Sequence, residues 1–470
     1  MITYISTRGE APALTFTQAL LTGLASDGGL YLPDHYPRLA PETIRAFAGR
    51  PYAEVAASVI TPFVGDDLPA GLLREMIDDA YAGFRHPAVT PLSQLDSNLY
   101  FLELFHGATL AFKDVAMQLL GRLMDHVLKM HGRRATIVGA TSGDTGAAAI
   151  EAFRGLAQVD VFILYPHGRV SDVQRRQMTT VADANIHAIA IEGTFDDAQA
   201  IIKGLFQNQT LRGELNLSGV NSINWARVVA QAVYYFTSAV TLGAPHRTIS
   251  YAVPTGNFGD ILAGWIAKRM GLPIDRLLIA TNTNDILARA LRDGRYEVRG
   301  VEPTQSPSMD IQVSSNFERL LFEAYGRDSQ ALRRLMAQLS QSRGFSIDPG
   351  PLETIRAEFA AEAVNEQETT EEIARVYREA EVLIDPHSAV GVAAARRHLN
   401  ITSGESPMVV LGTAHPAKFP DAMEKATGVR PPLPPHLAEI LEKPERLTLL
   451  PNDQGVIEEF LRKYARAKIH

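Results

Sequence analysis

The sequence contains no cysteine among its 470 residues. Disulfide bonds, thiolate nucleophiles and thiolate metal sites are therefore excluded, which suits a protein of the reducing cytoplasm. Long hydrophobic runs are also missing, since the longest apolar stretches, such as residues 389–395, fall well short of the ~18 residues that a membrane span needs. Residues 1–10 lack the basic start and apolar stretch of a signal peptide. We expect a cytoplasmic protein that does not bind membranes.

The sequence has no excess of positive charge. Its 45 basic and 53 acidic residues give a net charge of -8, which offers no broad cationic field to a nucleic acid or an anionic membrane. An anionic ligand must therefore be bound locally. The 13 histidines show neither HExxH nor another metal-ligand spacing, so no metal site is predicted. His106, His387 and His415 are interpreted as hydrogen-bonding residues of a core or a site edge.

Three regions follow one another along the chain. Residues 1–95 read as a small α-rich N-terminal domain, and residues 431–470 as a C-terminal extension that starts with a proline cluster, a linker or an extended wrap. Between them, residues 96–430 repeat the order strand, glycine loop, helix, which indicates an α/β fold with a mainly parallel sheet. An acidic stretch, residues 353–381, is interpreted as a solvated helix face.

Four of these repeats carry polar loops or helices after an apolar strand. The predicted strands are 135–140, 249–253, 277–281 and 408–411, and the helices that follow are 147–153, 261–270, 286–291 and one that begins near Asp421. In open α/β sheets the ligand binds beyond the carboxyl ends of the strands. We therefore expect the loops to converge on one site.

Two loops are suited to anions, because a glycine turn that opens a helix directs backbone N–H groups and the helix dipole at a ligand. Residues 256–260 (GNFGD) match neither GxxxxGK[ST] nor GxGxxG, which favours a smaller phosphate over a nucleoside triphosphate or a dinucleotide. The alternative is a tight turn without a ligand. The second loop, residues 141–146, has the same position at a helix start and also carries the hydroxyls of Thr141, Ser142 and Thr145. Its Asp144 repels anions and is expected to cap the helix or orient a neighbour.

One lysine stands out by its neighbours. Lys113 lies among small and apolar residues, just before a predicted helix, 115–130, whose apolar side chains recur at every fourth residue. This pattern places the helix on a core and directs Lys113 inward. A desolvated lysine has a lowered pKa and forms Schiff bases, whereas most lysines are exposed ammonium groups, and context alone leaves the exposed alternative open.

A further polar segment precedes the long apolar helix that begins at Trp225. The side chains of Asn221, Ser222 and Asn224 either cap this helix or meet a polar ligand. Arg227 either pairs with an acid or clamps a phosphate or carboxylate with its planar fork.

Four motifs together resemble those of threonine synthases: residues 106–114 (HGATLAFKD), 139–146 (GATSGDTG), 256–260 (GNFGD) and 412–419 (GTAHPAKF). The likeness begins at residues 4–9 (YISTRG), includes 26–31 (SDGGLY), and continues in the same order to about Gly428. The chain is therefore identified as a member of that family of pyridoxal-phosphate enzymes, which are of the tryptophan-synthase-β type (fold type II).

The resemblance implies two three-layer α/β domains with mainly parallel sheets, a small α-rich N-terminal unit, and pyridoxal 5'-phosphate bound between the domains. Lys113 matches the Schiff-base lysine. Gly256, Asn257, Phe258, Gly259 and Asp260 match the cradle of the cofactor phosphate, and Thr413 matches the hydroxyl partner of the pyridine nitrogen. Many relatives of this fold carry asparagine where Asp144 stands, so the resemblance does not assign the partner of the cofactor's phenolic oxygen.

The resemblance also implies the reaction, in which O-phospho-L-homoserine and water give L-threonine and phosphate by γ-elimination and β-addition of water. Lys113 would carry the α and β protons. Ser142 and Thr145 are expected to contact the phosphate or carboxylate of this small-molecule substrate, and Asn221, Ser222, Asn224 and Arg227 lie in a substrate-binding segment. The protein is expected as a monomer or homodimer. The alternatives are a threonine or serine dehydratase or phospho-lyase of the same fold, and a pyridoxal-phosphate-binding protein without catalysis.

Overall fold

The computed structural model describes residues 2–219, 221–402 and 406–467. The chain divides into two compact units. The first contains the residues up to Asp78, Phe84–His106 and Ser222–Pro431, and the second contains Asp79–Gly83, Gly107–Asn221 and the residues from Pro432 onward. Each unit is therefore assembled from segments that are far apart in the sequence.

The described residues form fifteen strands, which are β1 Tyr4–Ser6, β2 Tyr31–Pro33, β3 Leu92–Asp96, β4 Leu99–Glu103, β5 Ala135–Ala140, β6 Val159–Pro166, β7 Ile186–Ile191, β8 Leu217–Ser218, β9 Ile249–Pro254, β10 Ile274–Thr281, β11 Arg295–Glu297, β12 Gly344–Ser346, β13 Phe359–Ala363, β14 Met408–Gly412 and β15 Thr448–Leu450.

The same part of the chain forms nineteen α-helices, which are α1 Phe16–Thr22, α2 Pro41–Ala46, α3 Tyr52–Val64, α4 Ala70–Ala82, α5 Lys113–Met130, α6 Asp144–Phe153, α7 Asp172–Thr179, α8 Phe195–Gln207, α9 Gln209–Glu214, α10 Trp225–Thr241, α11 Gly259–Arg269, α12 Ile286–Asp293, α13 Phe317–Ala324, α14 Ser329–Ser342, α15 Pro349–Glu358, α16 Glu366–Ala380, α17 Pro386–Thr402, α18 Pro420–Thr427 and α19 Gln454–Tyr464. Short 3-10 turns occur at Gly65–Asp67, Pro307–Met309, Pro416–Lys418 and Pro435–Leu441.

The first unit is built on a six-stranded sheet in the order β13-β10-β9-β14-β4-β3. All neighbouring pairs are parallel except β3 and β4. Helix α17 packs on four of the parallel strands, and its alanines and valines join the core that includes Val410 of β14. Because β9 and β14 are parallel neighbours, the loops that follow them leave the same edge of the sheet.

The second unit is built on a five-stranded, wholly parallel sheet in the order β15-β7-β6-β5-β8. All residues of its central strand β6 are buried, as expected for a parallel strand with packed faces. Helices α5 and α6 approach each other closely at Gly121, where an added Cβ would collide with the carbonyl oxygen of Ala152. Strand β15 pairs with β7, and Ile457 and Leu461 of α19 enter the core, so the C-terminal extension completes this unit.

These observations confirm the predicted α/β fold with mainly parallel sheets. The predicted strands and most predicted helices are present, but the helices after the glycine loops begin two or three residues earlier, at Lys113, Asp144 and Gly259. The N–H groups of a first turn need no partner within the helix, so glycine and polar residues are tolerated there. The acidic stretch is not one helix face, because strand β13, which begins at the buried Phe359, lies within it. The domain boundaries at residues 95 and 430 stay a prediction.

Within the described ranges, the structure has no helix that is both long and apolar enough to cross a membrane.

Candidate active site

Lys113 is the first residue of α5 in the second unit, and only 7% of its surface is exposed. Its Nζ atom lies 3.8 Å from Oδ2 of Asp144 and 4.8 Å from the centroid of the Phe112 ring. The amine is therefore held in a largely apolar setting with a carboxylate close by. This is the setting in which lysine serves as a nucleophile and base.

The segment that leads into α5 is held by a buried carboxylate. Asp114 accepts hydrogen bonds from the backbone N of Thr109 at 2.7 Å and from Oγ1 of the same residue at 2.7 Å. A Cβ atom added at Gly107 would collide with the Asp114 side chain, so only glycine permits this close packing. The backbone around Lys113 is thus fixed from both sides.

Asp144 begins α6 and is itself fixed by a neighbouring amide. Its Oδ1 accepts a hydrogen bond from Nε2 of Gln174 at 3.0 Å, while its Oδ2 faces Lys113. Gln174 is buried in α7, and its Oε1 accepts from the backbone N of Ser171 at 3.3 Å. The carboxylate is therefore oriented toward the lysine by a side chain from another helix.

The loop before α6 is shaped by a threonine. Oγ1 of Thr141 accepts hydrogen bonds from the backbone N of Gly143 and of Gly146, each at 2.9 Å. The side chains of Ser142 and Thr145 are half-buried. Thr141 is thus occupied with closing the turn, and it is Ser142 and Thr145 that leave hydroxyls for a ligand.

In the first unit, the loop after β9 forms the start of α11. Phe258 adopts a left-handed φ of 62° and is held there by its ring, which lies 5.4 Å from that of Phe317 and 5.8 Å from that of Phe359. A Cβ atom at Gly256 would lie 2.8 Å from the carbonyl oxygen of Ser308. The left-handed backbone of Phe258 is strained, and such strain is typical of places where a backbone presents its N–H groups to a ligand.

Asn316 closes the loop from the other side. Its backbone N and Nδ2 donate to the carbonyl oxygen of Asn257 at 3.1 Å and 2.9 Å, and Nδ2 also lies 3.1 Å from the carbonyl oxygen of Ser222. Oγ of Ser314 donates to the carbonyl oxygen of Gly256 at 2.6 Å. With its carbonyl groups occupied in this way, the loop offers its N–H side to an anion.

Asp260, in the first turn of α11, contacts two tyrosines of α10. Tyr234 donates a hydrogen bond to its Oδ1, and Tyr235 donates to its carbonyl oxygen at 2.9 Å. Burial, and then the Asp260 charge, raise the pKa of both tyrosines well above the usual value, so both hydroxyls remain donors at neutral pH. The geometry gives Asp260 a supporting contact with α10, and its assignment to the phosphate cradle stays a prediction.

Thr413 follows β14 and is buried. Its backbone N donates to Oγ of Ser388 at 3.2 Å, and its own Oγ1 has no hydrogen-bond partner among the residues that the structure describes. A buried hydroxyl without a partner is costly, and a ligand that supplies one removes the cost.

Among the polar residues around the start of α10, Asn224 has a structural role, and the roles of the others are open. Asn224 caps this helix, since its Oδ1 accepts from the backbone N of Ala226 at 3.1 Å, and its Nδ2 donates to the carbonyl oxygen of Leu20 at 2.9 Å. Arg227 is buried, and burial lowers its pKa to about 10, so it is charged at neutral pH. Ser222 is half-buried and Asn221 exposed. The roles of these four residues toward a substrate stay predictions.

Each unit, taken by itself, offers groups that suit pyridoxal phosphate. The second unit offers the buried amine of Lys113. The first offers, at one edge of its sheet, the Gly256 to Gly259 backbone for a phosphate and the free hydroxyl of Thr413 for a ring nitrogen. Together the fold and these groups define a pyridoxal-phosphate-dependent enzyme of the α/β class.

Comparison with known proteins shows which family within this class the chain resembles. Three family models match: "Threonine synthase N terminus" at residues 3–81, "Pyridoxal-phosphate dependent enzyme" at residues 84–351, and "Threonine synthase, C-terminal" at residues 388–461. The threonine synthase of Pseudomonas aeruginosa is 52% identical over 465 residues, which are 98% of either chain.

Solved structures agree with the family models. The crystal structure of pyridoxal-phosphate-bound threonine synthase from Brucella melitensis has a TM-score of 0.97 at 58% identity and covers 99% of this chain and 100% of its own. That of yeast threonine synthase has a TM-score of 0.93 at 38% identity, with 98% of both chains covered. The chain belongs to the threonine synthase family, and its cofactor is pyridoxal phosphate. The predicted family, fold type and cofactor are confirmed.

Two supporting residues escaped the sequence analysis: Gln174 and Asn316. Gln174 lies in a Ser-x-x-Gln capping box, a pattern that predicts the start of α7 and carries no sign of the contact with Asp144. The histidines are placed as expected: each of His106, His387 and His415 is hydrogen-bonded to a nearby residue.

Proposed function

We propose that this protein converts O-phospho-L-homoserine and water to L-threonine and phosphate. The observation that carries the proposal is the buried Lys113 amine beside Asp144, in a chain that resembles threonine synthases over almost its whole length. The alternative of a dehydratase or phospho-lyase of the same fold has no comparable support outside the region shared by all pyridoxal-phosphate enzymes of this type.

When bound, pyridoxal phosphate supplies an electron sink for charge that develops on the substrate carbons. Lys113 would hold the cofactor through Nζ, and its amine would then carry protons at the α and β carbons of the substrate. Asp144, whose Oδ2 lies 3.8 Å from Nζ, is placed to orient the Lys113 amine between transfers. Gln174 keeps Asp144 in the required orientation.

The first unit binds the cofactor at two points. The backbone N–H groups of Gly256, Asn257, Phe258 and Gly259, at the positive end of α11, would donate hydrogen bonds to its phosphate, and Asp260 anchors this turn to α10. Oγ1 of Thr413 would donate a hydrogen bond to the pyridine nitrogen, and this would leave the nitrogen mostly neutral, because a hydroxyl is a much weaker acid than a carboxyl group.

Substrate contacts are proposed for Ser142 and Thr145, whose half-buried hydroxyls flank the start of α6 and suit a phosphate or carboxylate. Asn221, Ser222 and the charged guanidinium of Arg227 suit the same anionic groups. Asn224 acts through the position that it gives to α10. We further propose a cytoplasmic monomer or homodimer, since a chain without cysteine needs no oxidising compartment.

The proposal is tested with purified protein and O-phospho-L-homoserine. Release of threonine and phosphate in equal amounts is expected, whereas 2-oxobutyrate in place of threonine would move the protein to the lyases, and no phosphate release would leave a binding protein. Lys113→Ala should abolish turnover and the absorbance band of the covalently bound cofactor. Lys129→Ala, an exposed lysine in the last turn of the same helix, should change neither.

A further inference from the structure

A single buried carboxylate, Asp385, connects the two parts of the first unit that were assigned above to the cofactor. It lies directly before α17, and its surface is 0% exposed. Both oxygens are used. Oδ1 contacts Nδ1 of His387 at 2.8 Å and accepts from the backbone N of that residue at 3.0 Å. Oδ2 accepts the hydrogen bond of the Ser388 hydroxyl.

The first connection leads to Thr413. Because Oγ of Ser388 donates its proton to Asp385, its lone pairs are free to accept, and it accepts from the backbone N of Thr413 at 3.2 Å. The direction of this bond is therefore set by the carboxylate. It fixes the backbone that carries the buried, unpartnered Oγ1 of Thr413.

The second connection leads to the Gly256 turn. Nε2 of His387 accepts from the backbone N of Ser308 at 3.2 Å, which requires the proton of a neutral ring to be on Nδ1, where it is donated to Asp385. The carbonyl oxygen of Ser308 packs against Gly256, 2.8 Å from the position of an added Cβ. Asp385 thus selects the histidine tautomer that holds Ser308 in place.

We propose that Asp385 is a positioning residue for the cofactor: through Ser388 it places the Thr413 hydroxyl, and through His387 and Ser308 it places the Gly256 turn. This deepens the function proposed above and rests on its assignment of Thr413 and Gly256. A carboxylate that only capped α17 would serve the helix alone, since side-chain caps bond the backbone of their own helix. The two connections that leave the helix distinguish the proposal from a cap.

Asp385→Asn tests the proposal in the full-length protein. The Ser388 hydroxyl and the His387 ring donate to different oxygens of Asp385, and asparagine replaces one of these oxygens by a donating NH2 group, so one of the two bonds is lost. The apoprotein is titrated with pyridoxal phosphate to obtain its dissociation constant, and the absorbance maximum of the bound cofactor is recorded. We expect affinity to fall tenfold or more and the absorbance maximum to shift.

Asp348→Asn is a matched control, since Asp348 also precedes a proline at the start of a helix, α15, but its side chain is 57% exposed and lies far from these contacts in sequence. It should leave both measurements unchanged. The two connections are separated by Ser388→Ala, which should shift the absorbance maximum, and by His387→Phe, which should weaken binding of pyridoxal phosphate more than binding of pyridoxal, because only the former carries a phosphate.

Unchanged affinity and absorbance in Asp385→Asn would overturn the proposal, as would a lower melting temperature of the apoprotein with normal cofactor binding by the molecules that remain folded. If this variant does not fold, Ser388→Ala and Ser388→Thr decide instead: the proposal requires that threonine, which keeps the hydroxyl, restores the absorbance maximum that alanine shifts. Neither measurement uses the substrate. A wild-type protein that bound the cofactor but made no threonine would refute the proposed reaction and not this inference.

Discussion

Replacement of Arg319 by methionine should destabilise the first unit strongly. Arg319 lies in α13 and is 1% exposed. Its Nη2 donates to the carbonyl oxygens of Tyr31 and of Ile223, each at 2.6 Å, and its Nε donates to the former at 3.0 Å. Nη1 holds the side chain of Asn316, which in turn holds the loop at Asn257. Burial lowers the pKa of Arg319 to about 10, which leaves it charged at neutral pH.

The magnitude follows from these contacts. Methionine would leave two buried carbonyl oxygens without their donors, at about 1–3 kcal/mol each. It would also avoid the desolvation of a buried charge, which offsets part of that loss. We expect the free energy of unfolding to fall by about 2–4 kcal/mol. Because Asn316 loses its partner, the affinity for pyridoxal phosphate should fall as well.

Urea unfolding followed by tryptophan fluorescence measures this change in the relevant unit. The chain has two tryptophans, Trp225 and Trp265, and both lie in the first unit. Arg334→Met is the control, since that side chain is 59% exposed and its ion pair with Asp348 should contribute less than ~1 kcal/mol. If Arg319→Met unfolded at the same urea concentration as the control, the assignment of Arg319 as a buried support would be wrong.

Three further predictions concern the second unit. Gly121→Ala should lower the free energy of unfolding by about 1–3 kcal/mol, seen as a lower melting temperature, because its Cβ would collide with the Ala152 carbonyl oxygen. The control is Gly213→Ala, where an added Cβ meets no other atom, and it should be neutral or stabilising. Gln174→Leu should lower kcat about tenfold or more, since it removes a hydrogen bond of about 1.5–3 kcal/mol from the Asp144 carboxylate; normal turnover would show that Asp144 needs no support. Burial lowers the pKa of His187 from 6.5 to about 4. The unfolded chain therefore binds more protons than the folded one between these values, and stability should fall by about 1–2 kcal/mol, allowing for partial exposure, as the pH drops from 6.5 to 4. In His187→Phe, melting followed by circular dichroism should show a smaller fall; an equal fall would assign it to other groups.

Much of the fold could be predicted because it follows from local patterns of apolar and polar residues. Strand β5 was predicted at both ends, since it is a short buried run between polar residues. The burial of Lys113 followed from the apolar stripe of α5. The starts of the helices were less predictable, because a first turn tolerates residues that a helix interior does not.

The supports of the site could not be predicted in the same way. Asp385 is linked to Thr413 through Ser388 and to Ser308 through His387, and Gln174 reaches Asp144 across 30 positions of the chain. Such contacts depend on how helices and strands pack, and no periodicity or spacing encodes them. Asn224 shows the converse, since both of its possible roles were visible in the sequence and only the packing shows that it caps α10.

The pairing of β15 with β7 has a consequence for synthesis on the ribosome. Strand β7 is complete once residue 191 has emerged, but the strand that covers its outer edge comes only with residues 448–450. At about 5–20 residues per second, the edge stays open for roughly ten to fifty seconds. An open edge is a template for strands of other chains. Each nascent chain therefore passes through an interval in which it is prone to misassembly, and slow translation of the segment that builds the first unit prolongs that interval.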